Sequence, residues 1–179
     1  NNTDLRTSGW ELSIGWNDRL NNGFTYGAKF NVSDARTKIT RYPNNPTKAV
    51  STYIEGRYTN EIWGYTTVGL AKTDEEMQAH LATMPNGGQS ALGSDWKAGD
   101  IMYADINGDG KISGGSGTLN DTGDWTVIGN TTPRYLFGLD LNASWKGFDL
   151  RMFFQGVMKR DFWQGSTYLF GASNSGMWH

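Results

Sequence analysis

The sequence predicts an all-β chain: antiparallel hairpins of a transmembrane β-barrel, with a long extracellular loop containing a short helix and an EF-hand-like calcium loop. Three observations lead there. Apolar and polar residues alternate over runs close to the ~9–11 residues that a tilted strand needs to cross a bilayer. The runs come in pairs joined by short turns, and a segment from about 36 to 132 separates the two pairs. Composition agrees. The 179 residues include eight each of Trp, Tyr and Phe and 24 Gly, against 4 Pro, which suits short, tightly turned β structure. The absence of cysteine excludes disulfide staples, thiolate zinc sites and a cysteine nucleophile. Sixteen basic and 18 acidic residues give a formal charge of −2 with no basic stripe, so nucleic acid is not expected as a partner. Apolar runs last only a few residues, too short for a membrane-spanning helix.

The first hairpin occupies residues 1–35. From Gly9 to Asp18, Trp10, Leu12, Ile14 and Trp16 point one way, while Glu11, Ser13, Gly15 and Asn17 point the other. Period-two alternation places such sets on opposite faces of a strand. A polar turn, Asp18 to Gly23, follows. The next strand then sends Phe24, Tyr26, Ala28, Phe30 and Val32 to one face and Thr25, Gly27, Lys29, Asn31 and Ser33 to the other.

The second hairpin, 133–158, repeats the pattern. Tyr135, Phe137, Leu139, Leu141, Ala143 and Trp145 alternate with Leu136, Gly138, Asp140, Asn142 and Ser144. Lys146-Gly147 suits a two-residue hairpin turn. Phe148, Leu150, Met152 and Phe154 then alternate with Asp149, Arg151, Phe153 and Gln155, although Leu136 and Phe153 blur the polar face. A soluble β-sandwich would alternate in the same way. Loop lengths favour the barrel, since short turns at one end and long loops at the other are the asymmetry of transmembrane barrels. On this reading Trp10, Leu12, Ile14, Trp16, Phe24, Tyr26, Phe30, Phe137, Leu139 and Leu141 face lipid. Glu11, Lys29, Asp140, Asn142, Arg151 and Gln155 face the lumen, and Trp10, Trp16, Phe24, Trp145 and Phe148 form an interfacial girdle.

The long loop, 36–132, has structure of its own. Thr73-Asp74-Glu75-Glu76 is a capping box in which the threonine caps the Glu76 amide and Glu76 reaches back to the threonine amide. Met77, Leu81 and Met84 follow at helical spacing, so a short helix should end at Pro85-Asn86-Gly87-Gly88. His80 on that helix reads as a packing or surface residue. The sharpest motif is Asp105-Ile106-Asn107-Gly108-Asp109-Gly110-Lys111-Ile112. Oxygen side chains at loop positions 1, 3 and 5 and glycine at 6 match the first part of an EF-hand loop, whose hard oxygens suit calcium. The predicted ligands are Asp105, Asn107 and Asp109, with the Lys111 carbonyl. Ser116 stands where an EF-hand carries its glutamate, so the distal carboxylate falls to Asp121 or Asp124. An Asx-rich turn without metal is the simpler alternative. No catalytic motif is present, and two histidines, His80 and His179, make a histidine-based triad unattractive; no enzyme is expected. Trp63, Tyr65, Trp163, Tyr168 and Trp178 read as loop aromatics. Residues 159–179 read as the start of a further extracellular loop, and the whole as an internal fragment.

Taken in order, Thr7-Ser8-Gly9-Trp10-Glu11-Leu12, Gly99-Asp100-Ile101-Met102-Tyr103, the Asp105–Ile112 motif, Thr126-Val127-Ile128-Gly129-Asn130, Lys146-Gly147-Phe148-Asp149-Leu150 and Phe153-Phe154-Gln155-Gly156 resemble the late barrel of the SusC/RagA family. These are TonB-dependent outer-membrane transporters of Bacteroidetes. The resemblance implies a barrel of about 22 strands closed by a plug, driven by TonB through an N-terminal part that this chain does not carry. It also implies a SusD-like surface lipoprotein as partner, and oligosaccharide or peptide as substrate. Within the family an acid precedes Thr-Val-Ile-Gly, which supports Asp124 as the distal ligand and makes 113–123 an insertion. A soluble, calcium-stabilised glycan-binding β domain is the alternative. Four strands cannot close a barrel, so the isolated chain is expected to self-associate or to need detergent.

Overall fold

The computed structural model describes residues 2–164, and Tyr168, Trp178 and His179 lie outside them. Nine elements follow in chain order: β1 Asp4–Arg19, β2 Thr25–Arg41, β3 Glu61–Tyr65, β4 Thr67–Leu70, α1 Asp74–Ala82, β5 Ile101–Tyr103, β6 Trp125–Asn130, β7 Arg134–Trp145 and β8 Phe148–Lys159. No helix among the described residues is long and apolar enough to cross a membrane. The chain divides into two compact units. Among the described residues, a sheet unit holds 8–36 and 130–164, and a loop unit holds 2–7 together with 37–129.

The sheet is antiparallel, ordered β1-β2-β7-β8. Register gathers the alternating residues into cross-strand rows. Phe30, Leu139 and Phe154 lie side by side, as do Ala28, Leu141 and Met152, and Tyr26, Ala143 and Leu150. On the opposite face the rows are Lys29-Asp140-Phe153, Asn31-Gly138-Gln155 and Gly27-Asn142-Arg151. The predicted separation of apolar and polar sets therefore carries across β2, β7 and β8. Lys146 (φ 48°) and Gly147 (φ 85°) both take positive φ, the backbone of a type I′ turn, whose twist matches that of the paired strands. β1 is exposed along its whole length, and β8 along nearly all of it.

The strands outrun the expected alternation. β2 continues past Ser33 to Arg41 because its far end finds a second partner: Ile39 N–H donates to the Arg57 carbonyl at 2.9 Å, and Gly56 N–H to the Ile39 carbonyl at 2.8 Å. β1 begins at Asp4, with Thr7 and Thr37 hydroxyls 2.8 Å apart. Polar side chains hide this stretch from a hydrophobic pattern, while backbone pairing still makes it strand.

The loop unit has a small core of Ala71, Met77 and Met102, with Leu81 and Trp96 packed against it. Met77 is fully buried, a burial worth about 1.5–3 kcal/mol. The helix starts as expected, with Thr73 Oγ1 accepting the Glu76 N–H at 3.2 Å. The reciprocal arm differs: Glu76 accepts from the Lys72 N–H at 2.6 Å, one residue earlier than the capping-box expectation. Two small sheets complete the unit, β3 with β6 and β4 with β5. Trp63 and Tyr65, expected in irregular loop, lie on β3. Tyr65 makes edge contacts with Tyr103 at 5.6 Å and Trp125 at 6.0 Å between centroids, which is a packing role.

Candidate functional site

The segment 105–124 is organised by carboxylates that accept backbone N–H groups. Asp105 takes Gly108 N–H at 2.7 Å and Gly110 N–H at 2.8 Å, one on each oxygen. Asn107 Oδ1 takes the Asp109 N–H at 3.0 Å, and Asp109 Oδ1 takes the Lys111 N–H at 3.1 Å. The Asn107 amide donates to the other Asp109 oxygen at 3.2 Å, so these two side chains are neighbours. Gly108 (φ 73°) and Gly110 (φ 80°) supply the left-handed backbone that so tight a curve requires. Ile112 is fully buried and anchors the end of the turn, its N–H donating to the Gly88 carbonyl at 2.7 Å.

Asp124 closes the segment. Its side chain is fully buried. One oxygen accepts Ile106 N–H at 2.8 Å and Asn107 N–H at 3.4 Å, and the other accepts Ser113 N–H at 2.8 Å. Asp124 N–H in turn donates to the Ser113 carbonyl at 2.8 Å. Burying a carboxylate is costly unless hydrogen bonds compensate it, and three N–H donors do so here. Of the two candidate distal carboxylates, Asp124 is the one that reaches the 105–113 turn. Asp121 serves a separate turn, where it accepts the Ser116 N–H at 2.8 Å. The Ser116 N–H and hydroxyl, with Gly123 N–H, hold the Asp121 carboxyl below the usual range.

Asp105, Asn107 and Asp109 thus share one turn, and their oxygens each keep a lone pair after accepting one N–H. The donor set is the hard-oxygen kind that calcium takes. Asp124 accepts two backbone N–H groups on one oxygen and a single one, from Ser113, on the other. Among the described residues no group of three or more His, Cys, Asp or Glu side chains is placed to hold a metal.

Other polar side chains brace the same unit, and the sequence reading did not single them out. Gln89, almost fully buried, donates to the Ile101 carbonyl at 3.0 Å, accepts Tyr103 N–H at 2.7 Å, and lies 3.2 Å from His80 Nε2. Those bonds give His80 a packing role on the helix. Asn86 donates to the Asp109 carbonyl at 2.7 Å, tying the end of the helical segment to the acidic turn. Asn45 donates to the carbonyls of Ala49 and Tyr53 and accepts the Ala49 N–H, which shapes the 45–53 loop.

In the sheet unit, three of the predicted polar-face residues, Lys29, Asp140 and Arg151, lie together. Arg151 grips the Asp140 carboxylate with Nε, 3.1 Å from Oδ2, and with Nη2. Lys29 lies opposite Asp140 in register. A second pair was missed: Arg134 binds Asp34 through Nε and Nη2, and its guanidinium lies 5.0 Å from the Tyr135 ring centroid. Asp34 is buried. The available signal was Arg134 at the very start of its alternation and Asp34 just past the end of its own.

No family model matches the sequence. The protein named TonB-dependent receptor P3 of Formosa agariphila is 27% identical over 164 residues, which is 85% of this chain and 15% of that protein. TonB-dependent receptor P26 of the same organism is 25% identical over 163 residues, 86% of this chain and 15% of its own length. The chain therefore spans about 15% of the length of the curated relatives it matches.

Proposed function

We propose, from the chain's relationship to TonB-dependent receptors, that it supplies part of the wall and one large extracellular loop of an outer-membrane importer. One observation carries the reading. Register places Phe30, Leu139, Phe154 and their neighbouring rows on one face, and the outer strands β1 and β8 expose Trp16 at 64%, Ile14 at 59% and Phe148 at 81%. An apolar face of that extent needs lipid or protein over it, and a sheet open at both edges needs further strands. Bilayer lipid and the neighbouring strands of a closed barrel provide both.

In this reading the polar rows face a lumen through which substrate passes. The SusC/RagA branch, a SusD-like lipoprotein over the mouth, TonB as the source of energy, and oligosaccharide or peptide as cargo belong to the same proposal. They are supported by the ordered motifs. Import rather than catalysis is the activity, in keeping with the receptor names of the relatives. Calcium is a further component. The ion would take oxygens from Asp105, Asn107 and Asp109 and the Lys111 carbonyl, with Asp124, whose carboxylate also accepts N–H groups of the turn, as the distal carboxylate. There the ion would supply rigidity to the loop, not chemistry.

Size-exclusion chromatography with light scattering on the 179-residue chain, with and without detergent, tests the wall reading. Dispersal only in detergent is expected. A stable monomer in plain buffer would replace it with a soluble glycan-binding β domain. For calcium, addition of a chelator should raise protease cleavage within 105–113, and an unchanged digest removes the ion from the reading.

A further inference from the structure

We infer that the loop unit contains a subsite for one ring of a neutral, hydroxyl-rich ligand, a sugar residue of an uncharged glycan, in the cavity walled by Tyr53, Tyr58 and Trp63. This narrows the cargo class of the importer proposed above and rests on that reading for access to extracellular substrate. The cavity has a volume of about 300 Å³, at the lower end of the range for small-ligand sites. Buried Ile39, Val50 and Ile54 are among the residues that line it.

Its rings are held before any ligand arrives. Tyr53 is 42% exposed and braced edge-on by Tyr42, with centroids 5.6 Å apart. The Asn45 amide fixes the backbone beneath it by donating to the Tyr53 carbonyl at 2.9 Å. Trp63 sits on β3, with the Arg57 guanidinium 5.1 Å from its ring centroid. Fixed aromatic rings offer large apolar surface at little entropic cost, which suits the C–H faces of a sugar ring.

Charge sets the ligand class. Among the described lining residues Arg57 is the one cation and Glu61 the one carboxylate, and they are paired at 3.0 Å. Glu61 also accepts the Tyr58 N–H at 3.3 Å. A sulfated or uronate-bearing ligand would have to draw Arg57 away from Glu61 and then lie beside the bared carboxylate. A purely apolar ligand would cover this pair and give it nothing. A hydroxyl-bearing neutral ring can donate to Glu61 and accept from Arg57 without separating them. Along 56–59 a peptide could not add as a strand without displacing β2, to which that backbone is already paired.

The test is an array of neutral glycans, sulfated and uronate-bearing glycans and short peptides, probed with the full-length protein containing this chain in detergent. Binding to neutral glycans is expected. Tyr53→Ala and Trp63→Ala should each weaken it about tenfold or more, and Tyr53→Phe, which keeps the ring, should leave it nearly unchanged. Limited proteolysis checks that each variant keeps the loop folded, and Tyr53→Ala decides the matter if Trp63→Ala does not. No glycan binding, preference for acidic glycans or peptides, or neutral binding that survives Tyr53→Ala would overturn the subsite. The two readings fail separately. A chain that needs detergent but ignores neutral glycans loses only the subsite. One that binds neutral glycan through Tyr53 as a monomer in plain buffer loses only the importer.

Discussion

The sheet unit and the loop unit satisfy the same obligation, a partner for every buried backbone N–H, with different shares of backbone and side chain. In the sheet, backbone pairs with backbone, and the side chains of β1 and β8 are left exposed for whatever surrounds them. In the loop unit, side chains share that work with the backbone: Asp124 serves three N–H groups, Asp105 two, and Gln89 bridges β5 to the helix. The difference teaches where each unit is vulnerable. A ladder tolerates most side-chain changes, whereas a strut removed from the loop leaves several polar groups without partners at once.

The largest effect should come from Asp124→Ala. It strands the N–H groups of Ile106, Asn107 and Ser113 in a buried site and should destabilise the loop unit by about 3 kcal/mol or more. Amide hydrogen exchange at those three residues measures it, and unchanged protection would break the comparison. Asp124→Asn should fall between, because an amide brings one acceptor oxygen and an N–H₂ that faces donors.

Next is Gly123→Ala. Gly123 sits at φ 54°, and an added Cβ would lie 2.2 Å from the Ser113 carbonyl oxygen and 2.5 Å from Gly115 N, both backbone. A cost of about 2–3 kcal/mol is expected, read as increased protease cleavage between 113 and 124. Thr73→Ala removes the helix cap and should cost about 1 kcal/mol, visible as faster exchange of the first helical turn.

The polar face of the sheet should respond less. Asp140→Ala breaks the Arg151 pair, but the Arg151 side chain is 75% exposed. The expected change is under about 1 kcal/mol by thermal melting in detergent. A loss as large as that of Asp124→Ala would mean that the sheet, too, depends on side-chain struts. Smallest is an acid effect at Asp121. Its carboxyl is held below its ordinary value, so its contribution is complete above the unfolded pKa and is lost as pH falls through the folded one. The 116–123 turn should therefore loosen only in acid, below about pH 4, and Asp121→Asn should remove that pH dependence from exchange at Ser116.

The sheet was legible in the sequence because its signal is local. Period-two alternation needs only the strand itself, and Lys146-Gly147 announces its own turn. The acidic turn was legible for the same reason, since Asp105, Asn107 and Asp109 act on backbone no more than five residues away. The short strands β3 to β6 were not. Glu61–Tyr65 and Trp125–Asn130 are too brief to show a period, and they become strands by pairing across some sixty residues of chain. Gln89 and Asn45 were invisible for a related cause. A polar residue destined for burial looks like a surface residue until its partners are known. Asp124 was noticed as an oxygen source, but its work on backbone N–H groups depends on the 113–123 excursion returning to Ser113, which spacing does not encode.

The Lys146-Gly147 turn has one more consequence. Its two residues set the parity of the hairpin, so that the rows Trp145-Phe148, Ala143-Leu150, Leu141-Met152 and Leu139-Phe154 all fall on one face. One extra residue there would act on the pleat as a frameshift acts on a reading frame. Unless a bulge absorbed it, the greasy and the wettable sides of β8 would change places along its whole length. A substitution at Gly147, whose missing side chain would meet nothing within 4 Å, could at worst strain the bend. Across descendants of this sequence, the length of the turn should therefore be guarded more strictly than its lettering.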